Sequence, residues 1–394
     1  MTIREIKKDI FTVGAIDWDR RLFDELIPLP DGTSYNSYLI RGSQKTILLD
    51  AVDPTKEDEQ IENLNRLGIK HIDYIVSHHA EQDHSGAIPK VLVHYPMAKV
   101  ITNAKCKDML RDLLLIPEDK FIVVEDGETL SLGNRTIEFI FAPWVHWPET
   151  FLTYLREDKI LFPCDFFGSH LATSELYATN ESKVYECAKR YYAEIMMPFR
   201  NNIKQHLTRL SKYEIAMIAP SHGPIYSNPQ FIIDAYKDWV SDDVKNEVII
   251  PYVSMHGSTR KMIDYFVDAL IERNIIVKPF NLTKTDIGEL AMALVDACTI
   301  VIGSPTVLTG PHPVAVYATF LANALRPKLR FASVIGSYGW GGKMLETIKS
   351  MLTNLKVELL QPVMIKGFPS ACDFKELDRL ASDILNKHKE HKLL

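Results

Sequence analysis

Ser77-His78-His79-Ala80-Glu81-Gln82-Asp83-His84-Ser85-Gly86 follows the apolar run His71-Ile72-Asp73-Tyr74-Ile75-Val76 and places His79, Glu81, Asp83 and His84 within one short loop. Packing does not explain four such side chains so close together, because carboxylates and imidazoles gather at a strand end when they have a charge to bind. In an extended loop His79, Glu81 and Asp83 alternate and point to one side, and His84 follows at a turn that Ser85-Gly86 can supply. That arrangement suits two metals better than one.

Other short apolar strands deliver further ligands. Thr46–Asp50, Thr136–Ala142, Lys159–Cys164 and Glu214–Ala219 read as buried strands, and His146, Asp165 and His222 follow the last three. A layered sheet would bring all of them to one edge, giving His79, Glu81, Asp83, His84, His146, Asp165 and His222 as candidate metal ligands. Glu81, Asp83 and Asp165 add hard anionic oxygens to four imidazoles, which favours iron or manganese over zinc, and one carboxylate can bridge two ions. The strand-end pattern resembles the metallo-β-lactamase fold, an αββα sandwich of two face-to-face sheets between outer helices. Hydrolases of that fold carry a His where this chain has Glu81.

Ser241-Asp242-Asp243-Val244-Lys245-Asn246-Glu247 reads as a linker between residues 1–247 and 248–394. Beyond it, apolar strands near 248–253, 299–303, 331–335 and 361–366 alternate with helical patterns over Arg260–Arg273 and Met344–Leu355, the signature of a doubly wound parallel α/β sheet. Three loops at one edge of that sheet form a cofactor site. Ser254-Met255-His256-Gly257-Ser258-Thr259 opens a helix, whose N-H groups and dipole can hold a phosphate without a cation. Ser304-Pro305-Thr306-Val307-Leu308 and Ser337-Tyr338-Gly339-Trp340-Gly341 supply the small and aromatic residues that a planar ring needs. In a flavodoxin-like sheet they flank the switch-point crevice. Neither a P-loop nor a G-x-G-x-x-G turn is present, which argues against a nucleotide triphosphatase or an NAD-binding domain.

At these residues the chain closely resembles the flavodiiron proteins, also called A-type flavoproteins. The order and approximate spacing of His79-x-Glu81-x-Asp83-His84, His146, Asp165 and His222 match that family's ligand pattern, Thr33–Leu39 is similar to its N-terminal strand, and the three later loops match its FMN site. The resemblance implies His79, Glu81 and His146 on one iron, Asp83, His84 and His222 on the other, and Asp165 bridging. It implies FMN and a diiron centre as cofactors, O2 or NO as substrate and an external electron donor, usually a rubredoxin. It also implies a head-to-tail homodimer or dimer of dimers, with the FMN of one subunit beside the irons of the next. His256 stands where relatives often have an aromatic residue. His78 and His170 fall off the ligand pattern and are expected to support it, whereas Tyr191 and Tyr192 resemble a family tyrosine near the irons.

Composition sets the outer bounds. At 394 residues with 46% hydrophobic content the chain is expected to form two globular domains. A net charge of −6 does not suggest nucleic-acid binding. The charge is uneven, 28 basic against 38 acidic residues up to 247 and 17 against 13 thereafter, which would favour packing unlike halves of two molecules together. No apolar run reaches the roughly 20 residues that span a bilayer, and the first residues lack a signal-peptide core, so the expected location is the cytoplasm. Cys106, Cys164, Cys187, Cys298 and Cys372 form no C-x-x-C pair and are expected to be buried thiols. Lys387–Lys392 reads as a frayed, solvated helix end. Two other classes compete: a dizinc hydrolase, which leaves the flavin loops unexplained, and a flavin electron carrier, which leaves seven ligands unused.

Overall fold

The computed structural model describes residues 3–394 and divides into two compact units. One holds the chain up to Tyr192 together with Phe199–Val240; the other holds Ala193–Pro198 and Ser241–Leu394.

The first unit contains a seven-stranded sheet in the order Arg4–Lys7, Ile10–Thr12, Tyr38–Arg41, Thr46–Leu49, Tyr74–Val76, Lys99–Thr102, Phe121–Val123. It begins antiparallel and becomes parallel from Thr46–Leu49 onward. Both of its faces are covered, so its central strands are continuous apolar runs whose alternate residues serve different cores. Leu39, Leu48, Ile75 and Val100 face helices Glu57–Arg66, Ile88–His94 and Ala104–Leu114 through Ile61, Leu64, Val91 and Leu110. Tyr38, Ile40, Ile47, Leu49, Val76 and Ile101 face the second sheet through Phe139, Phe151, Leu155 and Phe162. That sheet is ordered Thr129–Ser131, Thr136–Phe141, Phe151–Leu155, Ile160–Phe162, Met217–Ile218. The result is the expected two-sheet sandwich.

The second unit is a parallel sheet with Lys245–Tyr252 between Ile276–Asn281 and Ala297–Val307, followed by Phe331–Tyr338 and then by Glu358–Leu359 and Val363–Lys366. In chain order this is 2-1-3-4-5, the flavodoxin-like arrangement, with its switch point between the first and third strands. Helices Ser258–Ile271 and Ala371–Glu390 pack together on one face, where Met262, Phe266, Leu377 and Leu380 bury Val248, Ile250 and Val301. Helices Ile287–Leu294 and Pro313–Leu325 contact the sheet as well.

Several expectations are corrected. The linker is shorter, because Lys245-Asn246-Glu247 already belongs to the first strand of the second sheet, with Lys245 N donating to Asp296 O at 2.8 Å. Cys372 is exposed, unlike the other four cysteines. The C-terminal helix runs to Glu390 and buries His388 completely, with Thr299 Oγ1 at 2.8 Å from Nε2 and Asn246 Oδ1 at 2.7 Å from Nδ1. Its basic composition hid one side chain that turns inward. Among the described residues no helix is long and apolar enough to cross a membrane.

Candidate metal centre and flavin crevice

The ligand loop leaves the sandwich at Ser77, whose carbonyl accepts from Thr102 Oγ1 at 2.8 Å and whose Oγ donates to His79 O at 3.0 Å. Glu81 is extended, but Gln82–Ser85 forms a helical turn, so Asp83 does not continue the alternation that the sequence suggested. Ser85 Oγ donates back to Ala80 O and Glu81 O, and Gly86 N donates to Gln82 O at 2.7 Å, which closes the turn. A Cβ on Gly86 would lie 2.5 Å from Gln82 O and 2.6 Å from Pro54 Cγ, so only glycine fits this close approach.

The seven predicted side chains converge as two groups. Candidate ligand atoms of His79, Glu81, His146 and Asp165 all lie within 4.8 Å of one another, and so do those of Asp83, His84 and His222. Glu81 Oε2 is 3.0 Å from His79 Nε2 and 3.1 Å from His146 Nε2; Asp83 Oδ2 is 3.2 Å from His84 Nε2 and 3.1 Å from His222 Nε2. Asp165 joins the groups with separate oxygens. Its Oδ1 faces His84 and His222 at 2.8 and 3.4 Å, while Oδ2 faces His79 and His146 at 3.6 and 3.4 Å.

Buried polar atoms normally have hydrogen-bond partners. Both carboxylate oxygens of Asp83 and of Asp165, and both ring nitrogens of His84, are buried without a bond of acceptable geometry. Burial pushes the Asp165 carboxyl upward, but His84, His146 and His222 overcome that and hold it well below the usual carboxylate range. Burial opposes protonation of His146 and His222, yet Asp165 with Glu81, and Asp165 with Asp83, raise them to about 9 and about 10. Acceptors that converge while lacking donors, and imidazoles held protonated only by those acceptors, fit bound cations.

Supporting residues orient the ligands. His222 Nδ1 donates to Ser34 O at 2.7 Å, and His79 Nδ1 donates to Glu149 Oε1 at 2.9 Å. Glu149, which the sequence reading did not single out, also accepts from Ala80 N at 3.1 Å. His78 stands outside both groups, bonded through Nδ1 to Asp50 Oδ2 at 2.7 Å and through Nε2 to Thr153 Oγ1 at 2.5 Å. His170 Nδ1 lies 2.9 Å from Thr33 Oγ1, and its ring centre is 4.8 Å from that of His222. Tyr191 packs edge-on against His170, with ring centres 4.9 Å apart, whereas Tyr192 directs its hydroxyl to Trp239 O at 3.3 Å.

In the second unit the three predicted loops enclose a cavity of about 530 Å³. Ser254, Met255, His256, Ser258 and Thr259 line its first wall; Pro305, Thr306, Val307 and Leu308 the second; Ser337, Tyr338, Gly339, Trp340 and Gly341 the third. Gly257 and Ser304 do not line it. Gly257 takes φ +91° to start the helix, and Ser304 Oγ turns inward to donate to Pro305 O and accept from His312 N. Thr309, in the second loop, also lines the cavity, and so does Gly367, which the sequence reading did not single out. Leu308 and Trp340 keep 91% and 84% of their surface exposed, so apolar faces stand open at the rim, as a sandwiched ring requires. Among the described residues no lysine or arginine lines the cavity, and a phosphate there would rest on helix N-H groups and hydroxyls. The crevice therefore fits FMN.

Residues 33–223 match the family model described as "ODP family beta lactamase". A nitric oxide reductase of Moorella thermoacetica is 35% identical over 90% of each chain. The rubredoxin oxygen:oxidoreductase of the anaerobe Desulfovibrio gigas superposes with a TM-score of 0.95 at 28% identity over 99% of each chain. The flavodiiron protein of Giardia intestinalis superposes with a TM-score of 0.92 at 26% identity, covering 98% of this chain and 97% of that one. A metallo-β-lactamase-like sandwich joined to a flavodoxin-like sheet defines a class of oxidoreductase in which metal and flavin chemistry share one chain. This chain belongs to the flavodiiron protein family.

Proposed function

We propose that this protein accepts electrons from an external donor onto FMN, passes them to two irons and reduces O2 to water, NO to N2O, or both. The observation that carries the metal half of this reading is the division of Asp165, one oxygen toward each group of ligands. His79, Glu81 and His146 would hold one iron and Asp83, His84 and His222 the other. When bound, the irons supply binding and electron transfer to a diatomic molecule. The three carboxylates balance the charge of the oxidised centre, and the hydrogen bonds to Glu149 and Ser34 hold His79 and His222 in the orientation that presents Nε2. Two irons and a two-electron flavin hold four electrons, the number that O2 needs to become two waters, whereas two NO need two electrons to become N2O and water.

The name of the Desulfovibrio gigas relative supports a rubredoxin-type donor. Assembly as a head-to-tail homodimer or dimer of dimers, placing FMN of one subunit beside the irons of another, is supported by the acidic first part and basic second part of the chain. A dizinc hydrolase would leave the flavin crevice without a task, and a plain flavin carrier would leave the unpartnered atoms of Asp83, His84 and Asp165 without a cause.

The test is anaerobic reduction of iron-analysed protein followed by separate pulses of O2 and NO. Flavin reoxidation with four-electron consumption of O2 and no released peroxide identifies an oxygen reductase, and NO loss with N2O formation a nitric oxide reductase. Protein that holds two irons and FMN yet reacts with neither gas overturns the reading.

A further inference from the structure

The two proposed iron positions have matching ligand sets but different surroundings. Each has two imidazoles, one carboxylate of its own and one oxygen of Asp165. Around His222 the outer partner is a neutral carbonyl, Ser34 O at 2.7 Å, and His84 Nδ1 has no hydrogen-bond partner among the described residues. Around His79 it is a carboxylate, Glu149 Oε1 at 2.9 Å.

The Glu149 carboxylate is fixed in place. The residue is 2% exposed, Oε1 also accepts from Ala80 N, Asn103 Nδ2 donates to the Glu149 carbonyl at 2.5 Å, and Oε2 is buried without a partner. An anionic acceptor on Nδ1 draws the proton away from the ring and makes Nε2 a stronger donor to a metal than a carbonyl does. It also sets a negative charge one ring away from that position in a site of low dielectric.

We propose that Glu149 is a positioning residue that makes the two irons electrochemically unequal, holding the iron of His79, Glu81 and His146 in its ferric state while the iron of Asp83, His84 and His222 is reduced first. With both irons held by these residues, the first electron from the flavin would fall on the His222 side and the second on the His79 side. This rests on the diiron reading above.

The test is an anaerobic redox titration of iron- and FMN-loaded protein, wild type and Glu149→Gln, with the mixed-valent state read by low-temperature EPR and iron retention read by challenge with a chelator. The isosteric amide keeps an acceptor for His79 and removes the charge. E149Q is expected to bring the two reduction steps together, to lower the maximal mixed-valent fraction and to weaken retention of one iron by about tenfold. E149D, which keeps the charge but withdraws it, should lie between the two and remains readable if E149Q fails to load iron. Wild-type separation of the steps and wild-type iron retention in E149Q overturn the inference while leaving the diiron reading intact; wild-type protein that binds no iron overturns the diiron reading itself.

Discussion

Asp165 occupies the one position in the site that belongs to both groups of ligands. Its side chain is 1% exposed and each oxygen faces a different pair of imidazoles, so it cannot be replaced by a neighbour. Asp165→Ala is expected to leave fewer than two irons per chain and to slow gas reduction by at least about 100-fold, with the flavin absorbance unchanged; metal analysis beside the visible spectrum checks it, and an unimpaired enzyme refutes the bridging assignment. Gly257 poses a different question, because nothing lies within 4 Å of a Cβ built there and only its φ of +91° matters. Gly257→Val should weaken FMN retention by about tenfold through backbone strain alone, read by flavin release on dilution while iron content stays constant. At this scale the seven candidate ligands were legible because each follows an apolar strand or sits in the crowded loop. Glu149 was not, since one glutamate three residues beyond His146 forms no pattern until the fold brings His79 to it. Gly367 escaped for a related reason: it reaches the flavin crevice from just after the last strand, outside the three loops that the sequence marks.

Strand alternation was readable because the sheets have two cores to fill, and its ends were less so, because hydrogen bonds continue past the last apolar residue. The strand expected at 299–303 runs over Ala297–Val307, and the one expected to start at 248 starts at Lys245. The helical turn Gln82–Ser85 was hidden because its polar residues carry no helical periodicity. The C-terminal helix Ala371–Glu390 shows the cost of judging an element by composition. His388 is held at about 4 by burial first and then by the charge of His391, against an ordinary value of 6.5. The folded form therefore refuses a proton that the unfolded chain accepts. Its contribution is fully present above pH 6.5 and is lost as the pH falls from there toward 4, amounting to roughly 3 kcal/mol. Urea unfolding of the second unit at pH 7 and pH 4.5 should show a steeper acid loss in wild type than in His388→Gln, and equal slopes would place the acid sensitivity elsewhere.

Each unit has a complete sheet and its own buried core, and the charge balance differs on the two sides of residue 247. A fragment comprising residues 241–394, which keeps Asn246 with its partner His388, is expected to retain FMN and to lose NO reduction and four-electron O2 reduction, with any O2 it consumes released as peroxide; water formation from O2 or N2O formation by that fragment would remove the metal centre from the mechanism. Starting the fragment at 248 instead would discard Lys245 through Glu247 from a central strand and the Asn246 partner of His388, so weaker folding is the expected result. Gly86 and the turn it closes act as a gauge for the metal centre. The short peptide His79–His84 holds His79 and Glu81 in one group of ligands and Asp83 and His84 in the other, with Gly86 wedged against Gln82 O and Pro54. The separation of the two groups of ligands is thus written into a local length of backbone. A single residue inserted after Glu81 would put two sound half-sites out of step, and a lineage that keeps both metals has little freedom to lengthen this loop.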